Sequence, residues 1–170
     1  MNFLWSPWRM DYILGKKEKG CLFCKKPKEE KDIENLILCR GKTAFVMMNR
    51  FPYNNGHLMI IPLRHCVDFE ELNERESQEL SRFLKISIRA LRETLHPHGF
   101  NVGVNIGKAG GAGVPHLHFH VVPRWDGDTN FMPVIGETKV IPEYLVNLYQ
   151  KLHLAFRVRG MKRQKGERRR

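Results

Sequence analysis

The segment that decides the fold reads NIGKAGGAGVPHLHFHVVPRW and covers residues 105–125. Its second half, 116–123, alternates polar and apolar residues, which predicts a β-strand. One face of that strand carries three imidazoles, spaced by about 6.6 Å along the chain: His116, His118 and His120. The reverse face is apolar and is predicted to pack in the core: Leu117, Phe119 and Val121. This pattern indicates a functional site rather than a solvated surface.

The loop before the histidines is rich in glycine and has the sequence GKAGGAG at 107–113. Such a main chain can approach a ligand closely and present N–H groups to anionic oxygens. The loop does not match the nucleotide-binding pattern G-x-x-x-x-G-K-[ST]. A neutral imidazole beside a phosphate-binding loop suits nucleophilic attack on phosphorus. An ordinary hairpin turn and an all-histidine metal centre are the alternatives.

The remaining periodicities place one long helix among short strands. The helix is predicted over 74–95, because apolar residues recur every three or four positions after a capping box formed by Asn73 and Glu76. The other elements are predicted as a hairpin over 36–48, strands over 57–62 and 100–107, and a short helix over 142–155. We therefore predict an α+β fold, an antiparallel meander sheet of about five strands with one long and one short helix.

Positive charge is concentrated at the C-terminal end of the 170 residues. The formal net charge is +11, of which residues 157–170 contribute eight Lys or Arg against one Glu. We expect a single domain over 1–156 and a disordered basic tail over 157–170, capable of weak, sequence-blind polyanion contact. The longest apolar run, 58–63, is far below the roughly 20 residues that span a bilayer. With no recognisable secretory peptide at the N-terminus, a cytoplasmic protein without membrane contact is expected.

Two of the four cysteines have the spacing of a metal-binding pair. Cys21 and Cys24 are separated by two residues, which allows both sulfurs to bind one ion. Two histidines would complete a tetrahedral site. A redox pair or two incidental thiols are the alternatives.

The triad segment and three further motifs together resemble a known protein family. The triad segment resembles the signature of the histidine triad superfamily of nucleotide-binding hydrolases and transferases. NRFPYNNGHLMIIPLR at 49–64 is similar to the fragile-histidine-triad branch. LWSPWRMDYI near the N-terminus and VPRWDGDTNFMPV after the triad resemble a bacterial subgroup linked to diadenosine tetraphosphate phosphorylase or hydrolase activity.

The resemblance implies roles for individual residues. His118 would be the nucleophile that forms a nucleotidyl–imidazole intermediate, and His120 would contact the phosphate near the scissile bond. His57 would either order the triad or be structural, and the base would lie near Phe45, Met47 and Phe51. The other implied substrate contacts are Asn49, Asn105, Gly111, Ala112, Gly113 and Val114. Ala112 stands where relatives often have Gln, which leaves that contact to the main chain.

The resemblance also implies a metal and an assembly. Structural zinc would be bound by Cys21, Cys24, His65 and His116, and the protein would be a homodimer. The function expected is cleavage of a phosphoanhydride in dinucleoside polyphosphates through the His118 adduct. A non-catalytic nucleotide-binding or nucleic-acid-associated module is the alternative, and an all-histidine metalloenzyme is a third hypothesis.

Overall fold

The computed structural model describes residues 20–128 and 143–164, with side chains as far as residue 158 in the last helix. The LWSPWRMDYI motif, most of DTNFMPV and the predicted helix start at Pro142 lie outside the described residues. Within the described part, no helix is long and apolar enough to cross a membrane.

Five antiparallel strands form one sheet in the order β1-β2-β3-β5-β4. The strands are β1 Ile37–Arg40, β2 Ala44–Met48, β3 Leu58–Pro62, β4 Gly99–Val104 and β5 Phe119–Arg124. The α+β class and the antiparallel sheet are confirmed. The simple meander is corrected at one place, because β5 lies between β3 and β4. A long helix separates β3 from β4 in the chain, so these two strands are not forced to be neighbours.

The long helix predicted over 74–95 is confirmed at both ends. The helices are α1 Leu22–Lys25, followed by a 3₁₀ turn over Lys26–Glu29, then α2 Glu74–Leu95 and α3 Leu145–Gln164. The capping box at the start of α2 is confirmed, since Asn73 and Glu76 exchange two hydrogen bonds of 3.0 Å.

The last helix is the second correction, because α3 has 20 residues and is not short. Among its described side chains Phe156 is the last that is buried, and the exposed residues after it still belong to the helix. Residues 157–164 of the predicted tail therefore extend α3, while 165–170 lie outside the description. Tyr144, the residue before the helix, is 84% exposed.

The sheet has two differently covered faces. Helices α2 and α3 pack on the first, and their core includes Leu80, Phe83 and Leu91 from α2 and Leu148 and Leu152 from α3. The second face is covered by Phe23 of α1, which packs on Ile37, Phe45, Met47, Met59 and Ile61. His120 is paired with Met59 in the ladder and therefore points to this second face. The fold thus places the histidines beside the short N-terminal helix, away from α2 and α3.

Candidate active site and metal centre

The histidine segment enters β5 from an extended loop. The strand begins at Phe119, so His116 and His118 precede it and the predicted start at residue 116 is corrected. In this loop the Leu117 N–H donates to the Cys66 carbonyl at 2.8 Å, outside the strand ladder. Within the strand the alternation is confirmed, because His120 is paired with Met59 of the second face while Phe119 and Val121 pack in the helical core.

The protein main chain decides which nitrogen of His118 carries the proton. Nδ1–H donates to the His116 carbonyl oxygen at 2.7 Å, and a carbonyl can only accept. Nε2 of the neutral ring therefore has a free lone pair. Burial lowers the pKa of His118, which keeps the ring uncharged at neutral pH. This is the state that a nitrogen nucleophile requires.

A fourth histidine, His57, decides the proton position on His120. The Tyr53 N–H donates to His57 Nδ1 at 3.0 Å, so the proton of His57 is on Nε2. That nitrogen lies 2.9 Å from His120 Nδ1 and donates to it. The proton of His120 is consequently on Nε2.

The resulting N–H of His120 is buried without a partner. Among the described residues, Nε2 of His120 has no hydrogen-bond partner, and the ring centroid lies 4.8 Å from that of His118. Burial, followed by the effect of His118, lowers the pKa of His120 to about 4. His120 is therefore a neutral donor beside the nucleophile, and a substrate oxygen would satisfy it.

Asn49 belongs to the same network. Its Oδ1 accepts the Phe51 N–H at 2.9 Å, which turns Nδ2 toward His57 Nδ1 at 3.3 Å. The amide orientation is thus fixed by the protein. The motif G-H at 56–57 was the sequence signal for His57, whereas Tyr53 carried no such signal, because it acts through its main chain.

The glycine-rich loop is exposed and partly bonded to itself. Gly111 N–H donates to the Lys108 carbonyl at 3.1 Å, and Ala112 N–H donates to the Gly107 carbonyl at 3.2 Å. Gly107 and Gly111 have φ of 69° and 85°, a conformation that favours glycine. Asn105 Nδ2 lies 3.5 Å from the Gly111 carbonyl and supports the same turn.

One expected contact surface is corrected. Phe45 is fully buried and Met47 is almost so, both beneath Phe23. Neither offers a face on which a nucleobase could lie while α1 covers them. Phe51, the third expected residue, is only partly buried.

The structure unites all four predicted metal ligands. Their donor atoms lie within 4.8 Å of one another: Cys21 Sγ, Cys24 Sγ and one nitrogen each of His65 and His116. Cys21 Sγ is 3.2 Å and Cys24 Sγ 3.6 Å from His116 Nδ1, and Cys24 Sγ is 3.4 Å from His65 Nδ1. A tetrahedral zinc site with Zn–S of about 2.3 Å and Zn–N of about 2.0 Å has sulfur–nitrogen edges of about 3.5 Å.

The tautomer of His116 is also compatible with metal binding through Nδ1. Its Nε2 donates to the Pro62 carbonyl at 3.0 Å, so the lone pair of Nδ1 faces the two sulfurs. Two thiolates and two neutral imidazoles would balance the charge of a divalent ion. The four residues can therefore hold a metal ion in the geometry of a closed site.

Fold and site together define an α+β domain with a triad of histidines, each in a fixed tautomer. The chain belongs to the HIT domain family, whose sequence pattern matches residues 30–127. It is 43% identical over 151 residues to a Mycobacterium tuberculosis protein named AP-4-A phosphorylase, with 84% of this chain and 77% of the relative covered.

Solved structures share the fold. A Zn-bound histidine triad family protein from Mycobacterium smegmatis matches with a TM-score of 0.69 at 24% identity, covering 84% of this chain and 97% of that one. A hypothetical protein from Leishmania major matches with a TM-score of 0.58 at 30% identity, covering 64% and 75%.

Proposed function

We propose that this protein cleaves a phosphoanhydride bond of dinucleoside polyphosphates such as diadenosine tetraphosphate, with inorganic phosphate as the acceptor. The observation that carries the proposal is the complementary state of two neighbouring rings, a lone pair on His118 Nε2 and a buried N–H on His120 Nε2. The name of the M. tuberculosis relative supports the substrate class and the acceptor, and it favours an enzyme over a non-catalytic binding module.

In the first step, His118 Nε2 attacks the phosphorus of one nucleoside monophosphate unit. A nitrogen–phosphorus bond forms, the bond to the bridging oxygen breaks, and its electron pair leaves with the polyphosphate portion. The N–H of His120 donates to an oxygen at the reacting phosphate and offsets charge that develops there. Because His120 is neutral above a pKa of about 4, it acts as a hydrogen-bond donor and not as a base.

In the second step, inorganic phosphate attacks the same phosphorus and displaces His118. With diadenosine tetraphosphate the products are ATP from the first step and ADP from the second. Dividing the transfer into two steps allows one site to exchange one phosphate acceptor for another.

The loop would hold the phosphates with main-chain amides. Since Gly111 and Ala112 donate within the loop, we assign the contact to the amides of Gly113 and Val114, with Asn105 supporting the turn. Asn49 keeps a second amide N–H for a ribose oxygen.

The metal cluster is proposed as a structural zinc site. Zinc bound there would join the N-terminal segment to the loop after β3 and to the start of the triad. The donor set is two cysteines and two histidines, which is typical of closed sites without an open position for water.

We further propose a homodimer and a cytoplasmic protein. Strand β4 is the edge of the sheet, and its central residues, Asn101 to Gly103, are exposed. An edge strand of this kind can pair with its copy in a second chain. Size-exclusion chromatography with light scattering measures the assembly, and a monomer at micromolar concentration would contradict it.

The activity is tested by incubation with diadenosine tetraphosphate, with and without inorganic phosphate. ATP and ADP formed only with phosphate are expected. AMP with ATP, or two ADP, in the absence of phosphate would instead establish a hydrolase, and no products would favour a binding module. Rapid acid-free quenching should trap a nucleotide on wild-type protein and none on His118→Gly, whose turnover should fall at least about 1,000-fold.

A further inference from the structure

One carboxylate joins the end of β5 to the loop that precedes β3. Asp128 Oδ2 accepts from Asn54 Nδ2 at 2.6 Å and from the Trp125 N–H at 3.2 Å. Its Oδ1 accepts from Arg124 Nη2 at 2.8 Å. The Asp128 side chain is only 12% exposed, so these bonds are shielded from competing water.

Asn54 fixes the other side of this link. Its Nδ2 also donates to the Pro123 carbonyl at 3.0 Å, and the residue is buried. The two hydrogens of the amide are therefore committed to two acceptors at the end of β5. This ties the loop before β3 to the strand that carries His120, three residues from that histidine.

The residue that precedes Asn54 in the loop, Tyr53, controls the fourth histidine. Tyr53 donates its N–H to His57 Nδ1, and its ring centroid lies 4.6 Å from that of His57 and 5.5 Å from that of His120. The ring is 53% exposed and covers the outer side of the pair. Tyr53 thus has two contacts with the network, and both depend on where Asn54 holds the loop.

A displaced loop would change the protons on both rings. Without the Tyr53 N–H, His57 Nδ1 keeps only the longer contact with Asn49 Nδ2, at 3.3 Å, and the ring can turn its proton from Nε2 to Nδ1 at the expense of that contact. Nε2 then becomes an acceptor. Its neighbour, His120 Nδ1, would have to become the donor. The lone pair of His120 would then face the substrate in place of its N–H.

We propose that Asp128 is a positioning residue that acts through Asn54 and Tyr53 to keep the proton of His120 on Nε2. The inference rests on the proposed function, in which that N–H donates to the substrate. It concerns a residue outside the histidine triad, eight positions after His120 in the chain.

The test compares Asp128→Asn with Asp126→Asn. Asparagine retains the size of the side chain but weakens its bonds to Asn54 and Arg124. The control removes a carboxylate that is 94% exposed and pairs with His98 on the surface. Two quantities are measured for each variant: kcat and KM for diadenosine tetraphosphate with phosphate, and the ¹⁵N chemical shifts of the His120 ring nitrogens.

For Asp128→Asn we expect kcat to fall about 10- to 100-fold with little change in KM, as a small misplacement of a reacting group does. The ¹⁵N shifts of His120 should move from a pure Nε2–H pattern toward a mixture. Asp126→Asn should match the wild type in both readouts. Wild-type kcat, or an unchanged ¹⁵N pattern in a slow variant, would overturn the proposal.

A double-mutant cycle separates positioning from general damage. In a His57→Phe background, Asp128→Asn should lower kcat by less than about twofold further, because the effect of Asp128 on His120 is transmitted by His57, which is already absent. An equal loss of kcat in both backgrounds would overturn the proposal.

Should Asp128→Asn fail to fold, Asn54→Ser removes the same hydrogen bond from the other side and is judged by the same two measurements. If wild-type protein turned over no dinucleoside tetraphosphate, the proposed function would fail, while the ¹⁵N shifts would still decide the role of Asp128.

Discussion

The ring of Phe23 lies against the ring of His118, with a centroid distance of 5.0 Å. Phe23 stands between the two cysteines of the metal cluster, and its centroid is also 5.7 Å from that of His116, in an edge contact. One buried side chain therefore connects the candidate metal loop with the candidate nucleophile. Stability of the loop and orientation of the nucleophile should depend on each other.

Replacing Phe23 tests that connection. Phe23→Ala should lower the free energy of unfolding by about 3 kcal/mol, because a buried ring is lost and a cavity remains. It should also lower kcat while leaving the zinc content unchanged, since no ligand is altered. Leu22→Ala, at a neighbouring exposed position in α1, is the control and should change neither quantity. Full activity of Phe23→Ala would show that His118 is oriented without the ring.

Removal of one candidate metal ligand, unlike removal of Phe23, should change the zinc content as well as the stability. Cys24→Ser should abolish stoichiometric zinc, measured by metal analysis of protein purified without chelator, and should lower Tm, because binding energy of a structural ion is folding energy. Cys39→Ser is the matched control, since Cys39 lies on β1 outside the cluster and should leave the zinc content unchanged. Wild-type protein without zinc would contradict the assignment.

Local patterns predicted most of the fold. The apolar spacing and capping box of α2, and the alternation of His120 with Phe119 and Val121, are short-range signals that survive in the structure. The position of β5 between β3 and β4 is a long-range choice, which the sequence between them does not specify. The length of α3 was not predicted, because apolar periodicity reports burial, and the last buried side chain among those described is Phe156, before the helix ends.

Part of the candidate site could likewise be predicted from the sequence, and part could not. Cys21, Cys24, His65 and His116 could be assigned because the resemblance named four side chains, and the structure brings them together. The control of His57 by Tyr53 could not, because a main-chain N–H leaves no trace in the residue type. The same reason explains Gly111 and Ala112, whose amides bond within the loop.

The low pKa of His120 should appear in the pH dependence of stability. A histidine in an unfolded chain titrates near pH 6.5, whereas His120 in the folded protein titrates at about 4. Between these values the unfolded state binds the extra proton, so the free energy of unfolding falls as the pH falls. From pH 6.5 to pH 5 this group should contribute a loss of about 1.5 kcal/mol.

The contribution is isolated by comparing wild type with His120→Asn in urea unfolding at both pH values. The difference in stability between the two pH values should be smaller in the variant by that amount. Equal pH dependence in the two proteins would mean that His120 is not held neutral.

The ion pair at the start of α2 gives the last prediction. Arg64 hydrogen-bonds to both carboxylate oxygens of Glu76 at 2.9 Å, and this contact lowers the pKa of Glu76, whose side chain is 5% exposed. Glu76 also accepts the Asn73 N–H of the capping box. Glu76→Gln should lower the free energy of unfolding by about 1–2 kcal/mol, since a buried partner of Arg64 loses its charge.

Glu74→Gln, in the same first turn but exposed, should change stability by less than about 0.5 kcal/mol. The Glu76 pair also bears on the candidate metal centre, because Arg64 directly precedes the candidate ligand His65. If Glu76→Gln leaves the zinc affinity unchanged while stability falls, the pair stabilises the helix start alone. If chelator removes zinc faster from this variant than from Glu74→Gln, as we expect, then the capping box also holds the β3–α2 loop in position for His65.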